Sequence, residues 1–522
     1  MPFANIIEQS DPSLTWVGKS PGWQNGMNQQ NVWEVPGRDA RYFAVRRVAY
    51  GNDAGSFDTY CAMYKTTDDF SGGVPNPFPT FSVLDFANAP FINTDGDFIL
   101  TDKRPGDNIV SLAGFVNFGG GGGGPVSLST FDLSAEVYTS NIALTGGLEL
   151  ESFSNGNYIK IVRLNDGTHA LIWQYYRTSL DGTVLDPSGQ SYNTLFVSHI
   201  SAGGAIDTAG RQIIDQVPNP NPATFSSSFI YFASSCLDSR ERLHLSYDLS
   251  DFEAGTCDVR YNSVQYNGGG SFTIGTPVSF VKIQSTSPPL LVSEDANGNL
   301  RGLFNAATDQ AFLPNLFGIP TSGFTVLSGS WPQNISMIRV DHATTSPSPV
   351  FEGVSNTTAE PLLDVPGDTM LDGVTVWPAV WINGTCLYYA CQCQGRGVGP
   401  TGGNPPTRTR IWTRNVNGGP TWQTPGIDWW IWTTNAPNPG PNFDPQCAQD
   451  GTFPDMQIAP IRGGTALANV WSFDTFKAGS GGLEVGVCLY YFNGASPQSC
   501  SPVRRLSAPE KIVRRGAMGF RI

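Results

Sequence analysis

Short apolar runs, each opened by turn-forming residues, recur along the chain. The clearest is Asp166–Trp173, in which the turn Asp-Gly-Thr leads into His-Ala-Leu-Ile-Trp. The same order of turn, strand and closing aromatic recurs at Asn297–Phe304, Asn383–Tyr389 and Gly464–Trp471, and a charged variant occupies Arg240–Tyr247. Such runs between Gly and Asn turns are typical of β-strands, and no long stretch has the 3.6-residue apolar period of a helix. The chain is therefore predicted to be all-β.

Each of these strands belongs to a predicted four-stranded unit. An apolar strand such as Tyr158–Arg163 precedes it, and a further pair follows, as at Thr194–Ile200. Two looser copies, Gly55–Tyr64 and Asp107–Phe115, bring the total to about seven at a mean spacing of roughly 70 residues. A repeated four-stranded antiparallel meander is the signature of a propeller blade, and a ring of blades leaves few exposed sheet edges. We predict a β-propeller of seven blades, with six as the alternative.

Composition divides the chain into three parts. Residues 1–40 are polar and rich in Pro, Gly and Asn, and are predicted to be an irregular lead-in. The propeller is predicted to span residues 41–503. Residues 504–522 form a basic tail, interpreted as a docking arm or a ring-closing strand, with a solvated end as the alternative. The basic residues of the tail are Arg504, Arg505, Lys511, Arg514, Arg515 and Arg521.

One turn motif carries a family resemblance. Asn415–Trp422 reads Asn-Val-Asn-Gly-Gly-Pro-Thr-Trp, in which Asn can bond nearby backbone groups and Gly supplies positive φ. The spacing resembles the Asp-box of sialidase-like β-propellers, Ser-x-Asp-x-Gly-x-Thr-Trp, and Asn267–Phe272 and Ser201–Ile206 are shorter echoes. The resemblance implies a propeller over about residues 45–500, with structural turns between the third and fourth strands of a blade. The residues assigned to these turns are Asn417, Gly419, Trp422, Asn267, Gly269 and Phe272.

Catalytic motifs of the resembled family are missing. Sialidases grip a substrate carboxylate with arginines, one of them in an Arg-Ile-Pro context, and that tripeptide does not occur here. No catalytic residue is carried over. A glycosidase needs two carboxyl groups about 5–9.5 Å apart, and the 44 Asp and Glu residues could supply such a pair by chance. His169 and His244 occupy equivalent repeat positions, which favours a structural role over a catalytic dyad.

The net charge and the number of cysteines exclude several classes of partner and cofactor. A net charge of −14 argues against wrapping nucleic acid or an anionic membrane. There is no apolar run long enough for a membrane span, and the N-terminus lacks a secretory signal. Nine cysteines, an odd number at low density, do not form a disulfide framework, and no metal site or cofactor is predicted.

Aromatic residues supply the candidate binding surface. Seven of the 13 tryptophans lie in residues 377–432. Trp offers a large contact area and a polar N–H, so Trp429, Trp430 and Trp432 are candidate binding residues for a sugar ring or a partner protein. Packing between blades is the favoured interpretation of the rest.

Two functions follow as hypotheses. The first is a non-enzymatic structural or interaction protein of a large assembly, a bacteriophage or other virus particle, as a tail nozzle, tail-tip or attachment component. Its partners would be other protein subunits of the virion. The alternative is a carbohydrate-active propeller, either a glycoside hydrolase or a lectin-like binder of host-surface glycan, secreted by a signal-independent route.

Overall fold

The computed structural model describes 32 strands and some of the turns between them. The described residues are 7–11, 14–19, 32–50, 57–67, 81–93, 96–104, 106–116, 124–145, 160–175, 191–219, 228–251, 256–283, 285–294, 300–307, 333–340, 349–351, 360–361, 375–383, 386–394, 407–415, 423–431, 456–461, 466–476 and 483–492. They form seven antiparallel sheets, numbered here as blades 1 to 7, and one short 3₁₀ helix, Phe86–Asn88.

The strands of blade 1 are β1 (Ile7–Asp11), β2 (Leu14–Lys19), β3 (Val32–Glu34), β4 (Arg41–Tyr50), β5 (Phe57–Thr66), β6 (Phe81–Leu84) and β7 (Phe91–Asn93). Those of blade 2 are β8 (Gly96–Lys103), β9 (Ile109–Val116), β10 (Gly124–Asp132) and β11 (Val137–Ala143). Those of blade 3 are β12 (Lys160–Arg163), β13 (His169–Tyr175), β14 (Ser191–Ile200) and β15 (Gln212–Asn219).

The strands of blade 4 are β16 (Ser228–Leu237), β17 (Arg242–Asp251), β18 (Thr256–Gly268), β19 (Ser271–Ile274) and β20 (Val278–Ile283). Those of blade 5 are β21 (Ser285–Glu294), β22 (Leu300–Ala307), β23 (Gln333–Val340), β24 (Pro349–Phe351) and β25 (Glu360–Pro361). Those of blade 6 are β26 (Thr375–Asn383), β27 (Cys386–Gln394), β28 (Thr407–Asn415) and β29 (Gln423–Ile431). Those of blade 7 are β30 (Met456–Ile461), β31 (Ala466–Phe476) and β32 (Leu483–Phe492).

The blades follow one another around a ring. The first strand of one blade lies beside the first strand of the next, as β8 does with β12, β16 with β21, β21 with β26, and β26 with β30. Strand β3 lies beside β30, which brings blade 1 against blade 7. The first strands therefore surround a central axis. The predicted all-β fold, a β-propeller with seven blades of antiparallel sheet, is confirmed.

Blade 1 differs from the sequence expectation. Residues 1–40 were expected to be an irregular lead-in, yet the structure places β1, β2 and β3 there. Strands β2 and β3 pair with opposite ends of β4. Lys19 of β2 lies opposite Arg46, and Glu34 of β3 lies opposite Arg41. The blade frame thus starts before residue 41. The strands were missed because each is short and stands among the turn-forming residues that dominate this segment.

The core lies between neighbouring blades, and strand β13 shows why its sequence is a continuous apolar run. Ala170 and Ile172 pack in the cluster shared with blade 4. Leu171 and Trp173 point the other way, into the cluster shared with blade 2. Since side chains alternate along a strand, a blade buried on both faces needs apolar residues at every position.

Close packing at one turn gives a stability prediction. Gly204 adopts φ +83° in the turn between β14 and β15, and a Cβ there would collide with Ile142 and lie 2.8 Å from the Ala143 carbonyl oxygen. Gly268 has a similar φ of +88°, with no atom within 4 Å of its added Cβ. Gly204→Ala is expected to cost about 1–2 kcal/mol for the left-handed backbone and a further ~1–3 kcal/mol for overpacking.

Gly268→Ala is the matched control, because it adds a Cβ at the same backbone conformation without the collision. Urea unfolding of the two variants measures the difference. Equal losses in the two variants would show that blade 2 does not press on this turn.

Candidate functional site

Charged side chains converge where the first strands of blades 2, 3 and 4 end. Asp102 and Lys103 are the last two residues of β8. Lys160 and Arg163 are the first and last residues of β12. Glu241 lies in the turn between β16 and β17. We call this group the axial cluster. Its members are Asp102, Lys103, Arg104, Asp107, Lys160, Arg163 and Glu241.

Arg163 joins two carboxyl groups. Its backbone N–H donates to Asp102 Oδ2 at 2.7 Å, which fixes β12 against β8. Its side-chain Nε donates to Asp107 Oδ2 at 3.1 Å, while the other oxygen of that carboxylate accepts from the Ile109 backbone N–H at 3.0 Å. Arg163 therefore holds one carboxyl through its backbone and the other through its guanidinium.

The two carboxyl groups have different surroundings. Burial raises the pKa of Asp102, and this effect outweighs the Arg163 N–H bond and the charges of Lys160 and Arg163, which act in the opposite direction. Asp107 is half-buried and ion-paired with Arg163. At a pH where ordinary aspartates are ionised, Asp102 keeps a proton more readily than they do.

Lys160 connects blade 3 to blade 4. The side chain is only 8% exposed, and its Nζ donates to the Ser235 carbonyl oxygen of β16 at 3.1 Å. Burial lowers the pKa of this ammonium, and the charge of Asp102 acts against that shift. A buried amine therefore faces Asp102 from the neighbouring blade.

Arg104 reaches from blade 2 to blade 4 across the end of blade 3. Its guanidinium donates to both carboxylate oxygens of Glu241, with Nη1 at 2.7 Å from Oε2. The hydrogen bond to Glu241 raises the pKa of Arg104 against the opposing effect of burial. A bidentate pair of this kind fixes both loops at once.

A buried hydrogen-bond chain holds the turn that carries Glu241. Asp238 Oδ1 accepts from the backbone N–H groups of Arg240 at 2.8 Å and Arg242 at 2.9 Å. His244 Nε2 donates to Asp238 Oδ2 at 3.0 Å, and the other ring nitrogen lies 2.7 Å from the Tyr261 hydroxyl. Burial raises the pKa of Asp238, but the bonds from His244 and the two N–H groups outweigh it and lower the pKa overall. This chain positions Glu241, and through it Arg104.

The two histidines singled out in the sequence lie in second strands but contact different partners. His169 Nε2 is 2.7 Å from Ser111 Oγ of the preceding blade, and both residues are buried. His244 instead bonds within its own blade. Burial lowers the pKa of His169 to about 3, so the ring is neutral at ordinary pH.

Because His169 is neutral in the folded protein, the free energy of unfolding is expected to decrease at acidic pH. The unfolded chain takes up a proton at a pKa near 6.5, whereas the folded chain does so only at about 3. Stability is therefore lost as pH falls through this window, by about 1.4 kcal/mol per pH unit from this one group. The free energy of unfolding of the wild type and His169→Gln, measured across the window, checks this. A slope unchanged in the variant would contradict the assignment.

All of the binding and docking residues predicted from the sequence fall outside the described side chains. Trp429 and Trp430 lie on β29, the fourth strand of blade 6, but their side chains are outside the described part. Trp432 and the basic tail, residues 504–522, also lie outside the described residues.

The structural turns are partly described. Asn267–Phe272 connects the third and fourth strands of blade 4, Gly269 has φ +62°, and Phe272 is buried beside Tyr266. Asn267 Nδ2 donates to Thr273 Oγ1 at 2.9 Å. Asn417, Gly419 and Trp422 connect β28 to β29 in a segment outside the described residues.

Sequence reasoning missed the axial cluster. The available signal was the charged run Asp102-Lys103-Arg104 just before the predicted copy Asp107–Phe115, in a chain of which only 14% is charged. Within the described residues there is no group of three or more His, Cys, Asp or Glu side chains able to hold a metal ion. Nor does any helix among them have the length and apolar character needed to cross a membrane.

No protein-family model matches the chain, and no curated protein matches it. Similar solved structures include a polysaccharide lyase described as an ulvan lyase, at 10% identity over 76% of this chain and 83% of that one, with a TM-score of 0.38. A xylan β-1,4-xylosidase from Bacillus halodurans has 9% identity over 95% and 98% of the two chains, with a TM-score of 0.30. A levansucrase mutant from B. megaterium has 12% identity over 63% and 79%, with a TM-score of 0.32.

The sheets and their order around the ring define the propeller, while membership of the sialidase-like Asp-box superfamily is not confirmed. The predicted role as a non-enzymatic component of a bacteriophage or other virus particle is wrong, because the solved structures that resemble this chain are carbohydrate-active enzymes. The class defined here is a seven-bladed β-propeller with a charged cluster at its axis.

Proposed function

We propose that the protein is a carbohydrate-active propeller that hydrolyses glycosidic bonds at the axial cluster. The observation that carries this proposal is that Asp102 and Asp107 both accept hydrogen bonds from Arg163, in unlike surroundings. Glycoside hydrolysis uses two carboxyl groups, one that keeps its proton and one that stays ionised. Burial of Asp102 and ion pairing of Asp107 favour this division of roles.

Asp102 is the proposed general acid. Its carboxyl donates a proton to the glycosidic oxygen as the bond to the anomeric carbon breaks, so that the leaving sugar departs as an alcohol. Asp107 supplies the negative charge that stabilises the cationic sugar or removes a proton from the attacking water. Arg163 fixes both groups.

Lys160 supports the acid. A positive charge held beside Asp102 stabilises the carboxylate left after proton transfer. Because Lys160 is bonded to Ser235 of blade 4, it also sets the distance between the blades on which the site depends. Lys160 is a positioning residue in this account.

A direct test is the release of new reducing ends from a panel of neutral and acidic polysaccharides incubated with the full chain. Release is expected from at least one polysaccharide, and it should be lost in Asp102→Asn. Binding of a glycan without any cleavage would overturn the hydrolase proposal and leave a lectin-like protein.

A further inference from the structure

Lys103 is the one cation of the axial cluster that the described residues leave without a partner. Arg104 pairs with Glu241, Arg163 pairs with Asp107, and the Lys160 ammonium donates to the Ser235 carbonyl. Within the described part of the chain, the Lys103 ammonium makes no hydrogen bond or ion pair; the Lys103 backbone N–H donates to Asp102, and the charges of Asp107 and Asp102 act on the ammonium.

Lys103 also loses hydration, and its neighbours compensate for that loss only in part. It is half-buried, and burial lowers its pKa against the opposing charges of Asp107 and Asp102. An unpaired charge removed from water costs free energy, which an anionic ligand placed against it would offset. Asp107 and Asp102 compensate only in part, since Asp107 is ion-paired with Arg163 and Asp102 accepts from the Arg163 backbone N–H.

The excess of positive charge in the axial cluster also favours an anionic ligand. When Asp102 holds its proton as the proposed acid, Asp107 and Glu241 are the remaining anions. They face a larger number of cations, namely Lys103, Arg104, Lys160 and Arg163. The chain as a whole carries a net charge of −14, so the cluster is opposite in sign to the rest of the protein. Such a local reversal attracts anions to one place.

We infer that the substrate is an acidic glycan whose carboxylate or sulfate group binds the Lys103 ammonium beside the scissile bond. This inference rests on the proposed function, since it places the substrate at the same cluster. A sugar carboxylate and a sulfate ester share the anionic oxygens that an ammonium recognises. The experiment separates the two by the glycans supplied.

The test compares wild type, Lys103→Met and Lys103→Arg on matched oligosaccharides that are neutral, carboxylated or sulfated. Lys103→Met is expected to raise KM for the acidic glycan by about tenfold or more, with kcat little changed, because it removes binding shared by ground and transition states. Lys103→Arg should retain most of the affinity. The rise in KM caused by Lys103→Met should be much larger for the acidic glycans than for the neutral one.

A binding measurement keeps this inference separate from the hydrolase proposal. Glucuronate and inorganic sulfate are titrated into Asp102→Asn with and without Lys103→Met, and the melting temperature is followed. An anion-dependent rise that needs Lys103 supports the inference even if no glycan is cleaved. Cleavage of neutral glycans with no effect of Lys103→Met would overturn the inference and leave the hydrolase proposal intact. An adventitious rise equal in both variants would also overturn it.

Discussion

Asp102→Asn is expected to lower kcat on a cleaved glycan by about 10²–10⁴-fold, the usual contribution of a general acid. The amide has nearly the same shape and can still accept the Arg163 N–H, so β8 and β12 should stay in register. What it lacks is the proton for the leaving oxygen. The steady-state rate with a fixed glycan measures the loss, and the melting temperature shows whether the fold is retained.

Glu136→Gln is the matched control for this substitution. Glu136 is a carboxylate held by Lys65 at 2.8 Å and Tyr42 at 2.7 Å, between blades 1 and 2 and outside the axial cluster. Its loss should lower stability and leave kcat unchanged. A similar fall in kcat in both variants would indicate a general effect of losing an inter-blade carboxylate, contrary to an acid at Asp102.

The pH dependence has a definite sign. Because burial raises the pKa of Asp102, the acid stays protonated to higher pH than an exposed aspartate does. The rate should fall as pH rises through that pKa, and Asp102→Asn should remove this limb from the profile.

Trp173→Ala is expected to cost about 3–5 kcal/mol of folding free energy. The side chain is 1% exposed, stacks on Phe196 at 4.7 Å between ring centroids, and donates from Nε1 to Ser198 Oγ at 2.9 Å. Removing it leaves a cavity between blades 2 and 3 and takes a partner from a buried hydroxyl. The shift in urea midpoint measures the loss.

Ile213→Ala is the control for the loss of an apolar side chain. Ile213 lies on β15 and is 45% exposed, so its replacement should change stability by no more than about 0.5 kcal/mol. Trp173→Phe should recover part of the loss, because the ring can still pack on Phe196. Equal midpoints for Trp173→Ala and Ile213→Ala would contradict the packing of blade 2 against blade 3.

The fold could be predicted because its local rules repeat. Ala170–Trp173 follows an Asp-Gly turn and is apolar at every position, as a strand buried on both faces requires. The prediction failed in blade 1, where short strands such as Val32–Glu34 carry too few residues to show a pattern. Val32–Glu34 is a strand because it pairs with β4, and the sequence of these three residues alone does not indicate that pairing.

The site could not be predicted, because its geometry depends on distant parts of the chain. Arg104 and Glu241 are 137 positions apart, and Asp102 meets Arg163 across 61 positions. Nothing local in Asp102-Lys103-Arg104 indicates which charge will be paired and which left free. The raised pKa of Asp102 likewise arises from burial, which only the packing of neighbouring blades creates.

The most direct test of the account uses the oligosaccharide that the wild type cleaves, titrated into Asp102→Asn and followed by both calorimetry and product analysis. The variant is expected to bind the intact oligosaccharide with a Kd within a few-fold of the wild-type KM and to leave it uncut. Cleavage at the wild-type rate by Asp102→Asn would contradict an acid at the axial cluster.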